Sequence, residues 1–158
     1  MKYLGVLEDS WSKLLKDCYS GRFTPLEEAD IQSYLYYLCL KKINNPSKIH
    51  VEWLVKGKYI DIMFGKNQLA VEIKWSSVTK SNCLSKTKIK RWTTDIVKLS
   101  RFFRKKSVMI IFFALKRGID DYSPIRKHYL PRKQQNAIEI FVKKAKRYGV
   151  KVLPLYLN

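Results

Sequence analysis

Three residues near the middle of the chain are of the types that phosphoryl chemistry requires: Asp61 in YIDIMF, and Glu72 and Lys74 in QLAVEIK. Two carboxylates can share a divalent cation, and a lysine beside them can offset charge developing on phosphorus. Whether the three meet depends on the strands that carry them. Both segments alternate with a period of two, and Gly65-Lys66-Asn67 between them has the composition of a tight turn. With Lys66 and Asn67 at the tip, Phe64 pairs with Leu69, Ile62 with Val71 and Ile60 with Ile73, so one face is wholly apolar. Asp61 then falls opposite Glu72, and Tyr59 opposite Lys74, on the other face. Like charges placed opposite each other cost stability, and a divalent cation removes that cost. The competing reading is a solvated hairpin face on which Lys74 neutralises the two acids.

The surrounding pattern supplies the elements that must position this hairpin. Leu4, Leu7, Trp11, Leu14, Leu15 and Cys18 recur at helical spacing. A second helix is expected with Thr24 as cap, Pro25 in the first turn and Glu27 in the capping-box position, burying Ile31, Leu35 and Leu38. The period then shortens to two, with strands expected at 49–55, 58–64 and 69–75 in an antiparallel meander, turning at Gly57-Lys58 and at residues 65–67. A third helix is expected over 86–103, with Ile89, Trp92, Ile96, Leu99 and Phe103 inward. The continuous apolar run 107–115 reads as a strand covered on both faces. A long polar and aromatic connection, a helix at 134–148 and a strand at 151–156 complete the chain. The order α, α, β, β, β, α, β, α, β predicts an α/β (or α+β) fold with a mixed sheet flanked by helices, in one domain spanning 1–158.

Composition narrows the partner. Thirty-two Lys and Arg residues against 13 Asp and Glu give a net charge of +19, which repels other copies of the chain and attracts a polyanion, above all nucleic acid. The three cysteines, Cys18, Cys39 and Cys83, form no close pair in sequence, so neither a disulfide scaffold nor a cysteine-rich zinc site is indicated. His50 and His128 are each isolated and read as ordinary surface or hydrogen-bonding residues. Any metal is therefore expected on carboxylates, as Mg²⁺ or Mn²⁺ is. No apolar run is long enough to span a bilayer, and the N-terminus lacks a secretory apolar stretch. The expectation is an intracellular, cytoplasmic protein without a membrane partner, acting in a host cell if the chain is viral.

YID at 59–61 followed by VEIK at 71–74, within this order of elements, resembles the PD-(D/E)XK nuclease superfamily over about residues 25–115. The resemblance implies the restriction-endonuclease-like αβββαβ core shared with Holliday junction resolvases, and hydrolysis of DNA with Mg²⁺ or Mn²⁺. Asp61 and Glu72 are then metal ligands, Ile73 the apolar residue between Glu72 and Lys74 whose carbonyl also reaches the metal, and Lys74 the catalytic lysine. Ile60 stands where the family's name motif has proline, which lowers the motif's specificity without removing a chemical group. Several relatives carry a glutamate on the preceding helix; Glu28 fits, being three, seven and ten residues before Ile31, Leu35 and Leu38. Gln32, one turn on, is placed to orient Glu28 or a water. The helix after Lys74 contributes substrate contacts in the family, which points to Lys88 and Arg91 as phosphate-binding residues. Trp92 reads as core, and the roles of Asp95 and Glu52 stay open. The resemblance is compatible with a homodimer, although no coiled coil specifies one. The alternative function is a noncatalytic nucleic-acid-binding protein on the same scaffold. Basic tracts at 101–106 and 143–147 are solvated helix ends or extensions of a phosphate-binding surface.

Overall fold

A computed structural model describes residues 2–78, 85–118, 121–124 and 131–153. Cys83, His128 and the end of the expected last strand lie outside them. Helix α1 (Lys2–Tyr19) buries Leu7, Trp11, Leu14, Leu15 and Cys18 along the expected stripe. Helix α2 (Glu28–Ile43) starts one turn later than the sequence suggests. Glu27, not Thr24, is its cap, because Asp30 accepts the backbone N–H groups of Leu26 (2.8 Å) and Glu27 (3.1 Å) and completes the capping box. Its buried stripe is Ile31, Leu35 and Cys39; Leu38 is only half-buried.

Strands β1 (Ile49–Val55), β2 (Lys58–Phe64) and β3 (Leu69–Val78) form the antiparallel meander. Lys56 and Gly57, with φ of 48° and 75°, make the first turn, so Lys58 belongs to the strand rather than to the turn. Helix α3 (Lys86–Phe103) matches its expected span, and Ser85 caps it by accepting the Lys88 N–H at 3.1 Å. Strand β4 (Ser107–Gly118) lies parallel to β3, as a strand reached through a crossover helix does. Strand β5 (Asp121–Pro124), within the segment read from sequence as a connection, pairs antiparallel with the end of β4. Helix α4 (Arg132–Arg147) and strand β6 (Val150–Val152), parallel to the start of β4, follow.

The sheet order is β1-β2-β3-β4-β5, with β6 also paired to β4. The two helix pairs cover opposite faces. Helices α1 and α2 pack on Ile62, Phe64, Val71, Ile73, Val108, Ile110 and Phe112. Helices α3 and α4 pack on Ile60, Met63, Ala70, Met109, Ile111 and Phe113. This alternation explains the unbroken apolar run of β4, since successive residues enter different cores. Burying each such Ile or Phe stabilises the fold by roughly 1.5–3 kcal/mol relative to leaving it in water. Trp75 stacks on Phe112 at 5.2 Å between centroids, and Trp92 meets Phe113 and Phe141 edge-on, so both tryptophans are packing residues. Cys18 and Cys39 are buried free thiols, pushed up by burial to about 12 and about 11, which leaves them protonated and inert. Among the described residues no helix is long and apolar enough to cross a membrane.

Candidate functional site

The expected register between β2 and β3 holds for Phe64–Leu69, Met63–Ala70 and Ile62–Val71, and the paired ladder ends there. Asp61 stands where the two strands part. On the other side of β2, pairing with β1 also skips this level: Val51 pairs with Ile62 and Trp53 with Ile60, while Glu52 takes a φ of 48°. The hairpin accordingly departs from the single apolar face expected of it. Ile60 enters the α3–α4 core, whereas Ile62 enters the other, so the hairpin has no wholly apolar face and both its sides are covered.

The break frees Asp61 to act with its side chain. Its Oδ2 accepts the Ile73 N–H at 2.6 Å, across the gap where a ladder bond would have run. Its carbonyl accepts Gln32 Nε2 at 2.8 Å, so Gln32 holds the Asp61 backbone rather than Glu28. Ile73 itself is fully buried. The Asp61 carboxyl is pushed up to about 7, first by burial and then by the charge of Glu72, against the Ile73 N–H and Lys74.

Glu72 is buried at 4% exposure, and each of its oxygens meets an ammonium group. Lys74 Nζ donates to Oε1 at 3.0 Å, and Lys98 Nζ, from the middle of α3, donates to Oε2 at 2.8 Å. Asp95, one turn before Lys98, lies 3.4 Å from Lys74 and 3.8 Å from Lys98. Lys98 also donates to the Tyr59 carbonyl at 3.2 Å, tying α3 to β2. Burial alone would lower the Lys74 ammonium, but Glu72, Asp95 and Glu28 together hold it above the ordinary lysine value. It is therefore a cation at neutral pH, suited to donating hydrogen bonds and offsetting negative charge rather than to accepting a proton.

Glu28 occupies the first position of α2 and faces the sheet, as its spacing predicts. Its Oε2 accepts the Trp75 N–H at 3.0 Å, and its Oε1 lies 3.9 Å from Lys74. Burial raises its carboxyl above the ordinary value, and Lys74 and the Trp75 N–H work against that. Lys88 reaches the same end of β3, where Nζ donates to Ser76 Oγ at 3.2 Å. Arg91 is exposed on the first half of α3. The tertiary fold thus gathers Glu28, Asp61, Glu72 and Lys74 and adds Asp95 and Lys98. The added pair carried a partial signal: Arg91, Asp95 and Lys98 share one helical face, flanking the buried Trp92, Ile96 and Leu99.

Four carboxyl groups around two ammonium groups leave an excess of two negative charges when all are ionised. That equals the charge of one divalent cation, within a chain whose net charge is +19. The donors are hard oxygens, as Mg²⁺ and Mn²⁺ prefer. Among the described residues, however, no group of three or more Asp, Glu, His or Cys side chains is gathered to hold a metal. The donor chemistry fits a cation on Asp61 and Glu72, provided that Glu72 yields one of its ammonium partners.

The layers define an α/β protein with a mixed sheet between helices, broadly consistent with restriction-endonuclease-like topology and a nuclease-like scaffold. No family model matches the chain, and no curated protein matches it.

Proposed function

We infer that this protein is a metal-dependent nuclease of the PD-(D/E)XK type that hydrolyses phosphodiester bonds in DNA by attack of water on phosphorus. The observation that carries this reading is Glu72, buried at the break in the β2–β3 ladder and held between Lys74 and Lys98 beside the desolvated Asp61. A purely structural strand has no need of such a cluster, because burying charge costs several kcal/mol per ion, by order of magnitude, before any return from pairing. Asp61 and Glu72, with the Ile73 carbonyl, would hold Mg²⁺ or Mn²⁺, which when bound offsets charge on the scissile phosphate and lowers the pKa of a water. Lys74 remains protonated and donates to a phosphate oxygen or orients the water. Glu28 keeps α2 docked on β3 through the Trp75 N–H and presents its second oxygen toward Lys74. Lys88 and Arg91 lead the substrate backbone to the site along the first half of α3.

A second reading is favoured by one observation, the occupation of both Glu72 oxygens by ammonium groups. On that reading the scaffold binds nucleic acid without cutting it. Linear, closed-circular, single-stranded and four-way-junction DNAs distinguish the two when incubated with wild type and Glu72→Gln, with Mg²⁺ or Mn²⁺ and with chelator. Metal-dependent cutting by wild type, reduced at least about a hundredfold in Glu72→Gln, is the expected result. Binding of all four DNAs with no cleavage under broad pH and salt would replace the nuclease by the binding protein.

A further inference from the structure

Two basic tracts far apart in the sequence meet at the end of the α3–α4 layer away from the carboxylates. Arg104 and Lys105 follow α3, and Lys143, Lys144 and Arg147 lie on the last two turns of α4. The Lys105 N–H donates to the Gly149 carbonyl at 2.9 Å, which clasps the two segments together. Gly149 suits this close approach chiefly through its backbone conformation. Its φ is +75°, and a Cβ at this position would lie 3.0 Å from Arg104 Cγ and 3.4 Å from the Lys105 nitrogen. All five cations are exposed, and none forms an ion pair among the described residues. Elsewhere on the surface Lys13, Lys42 and Lys151 are each held by an acid. Helix α4 carries one acid, Glu139, among its six lysines and arginines.

The α4 cations recur at three- and four-residue spacing with Ile140 and Tyr148, and this stripe lines a groove of about 550 Å³. Its apolar contribution is too narrow for a bilayer, which needs a broad apolar face. It suits instead a ligand that presents regularly spaced negative charge with short apolar edges between. Helix α3 joins this surface to Lys88, the phosphate contact assigned above to its first turn, passing the carboxylate cluster at Asp95 and Lys98 on the way. From Lys88 to Arg104 is 16 residues, about 24 Å at 1.5 Å per residue, or roughly seven base pairs of duplex at 3.4 Å per step. A small anion reaches one surface only; a stiff duplex keeps its phosphates in line across both.

We propose that the α3–β4 turn and the C-terminal half of α4 form a second binding surface for duplex DNA, which grips the double helix about seven base pairs from Lys88 at the start of α3. The choice of DNA as the polyanion and of Lys88 as its first contact rests on the function inferred above.

The test is equilibrium binding by fluorescence anisotropy in chelator, so that the DNA stays intact, at salt from about 50 to about 200 mM. Wild type is compared with Lys143→Ala/Lys144→Ala/Arg147→Ala and, from the other tract, with Arg104→Ala/Lys105→Ala. The ligands are a duplex of about 24 base pairs, a hairpin with a stem of about six, and vesicles containing phosphatidylserine. The triple variant should lower the slope of log affinity against log salt by about 2.7 on the long duplex, and the double variant by about 1.8, at about 0.9 per phosphate contact. Both variants should weaken the long duplex at least tenfold and the short stem less than twofold, with unchanged unfolding midpoints. The two variants draw on different elements, so misfolding of one leaves the other decisive. Equal weakening of both lengths, or an unchanged slope, overturns the proposal. Loss of vesicle binding with duplex binding intact overturns it in favour of a membrane surface. Cleavage is scored in parallel with metal: length-dependent binding without cleavage removes the chemistry and leaves this surface standing. Cleavage with no length dependence does the reverse.

Discussion

At the scale of single residues, the site is organised by what Glu72 touches. A buried carboxylate needs compensation, and here it comes from both sides, Lys74 on its own strand and Lys98 on α3. Lys98→Met would leave Glu72 buried with one partner, and breaking a buried pair costs about 3 kcal/mol. Urea unfolding should show that loss, and adding Glu72→Gln to Lys98→Met should recover much of it, because no unpaired charge then remains. Strictly additive losses would mean that the two residues do not depend on each other. The nearness of Asp61, Glu72 and Lys74 was legible in the sequence because all three lie on one hairpin, whereas the direct Asp61–Glu72 pairing expected from its turn is absent, the ladder ending at Ile62–Val71. Lys98 and Asp95 were not, since helical period gives the face they share but not which residue of β3 lies beneath it. Glu28 was legible as a residue facing the sheet, while its bond to the Trp75 N–H was not.

At the scale of elements, positions depend on how the strands part and how the helices are pinned. Strand β2 leaves β3 at Asp61, so the acid bonds to backbone instead of standing on a regular face. Helix α2, which presents Glu28 and Gln32, is fastened to α1 through the buried Asp17, which accepts Lys13 Nζ at 2.7 Å and the Tyr34 hydroxyl at 2.9 Å. The Lys13 hydrogen bond, against the opposing effect of burial, holds the Asp17 carboxyl below its ordinary value of 3.8, with Tyr34 and Arg22 adding to it. Because the unfolded chain takes up that proton at higher pH than the native one, the stabilisation is complete above the ordinary value and is lost as pH falls through the lower native one. Asp17→Asn should therefore cost about 1–2 kcal/mol at neutral pH, discounting the half-exposed Lys13. Its deficit against wild type should shrink as acid carries the solution below the ordinary aspartate range. A deficit constant with pH, followed by chemical denaturation, would show that packing and not charge fastens the two helices.

At the scale of the whole molecule, a strongly positive chain encloses one locally acidic cluster, and the two features call for different ligands. If the cluster accepts a divalent ion, Mn²⁺ at about a hundred times its dissociation constant should stabilise the native state by about 2.7 kcal/mol. The rise in Tm should vanish with chelator and be absent from Asp61→Asn; an equal rise in that variant would place the ion elsewhere. The amino-acid sequence by itself determined the charge, the helices and strands with their periods, and the neighbourhood of Asp61 and Glu72. Each of these is set by residues close along the chain, through side-chain periodicity and turn chemistry. Strand β5, the end of the ladder at Asp61, the docking of Glu28 under Trp75, the Lys98 clamp on Glu72 and the meeting of two basic tracts at Gly149 were decided only by the tertiary structure. They join residues distant in sequence, and their placement follows from how two helical layers pack against opposite faces of one sheet, which no local pattern encodes.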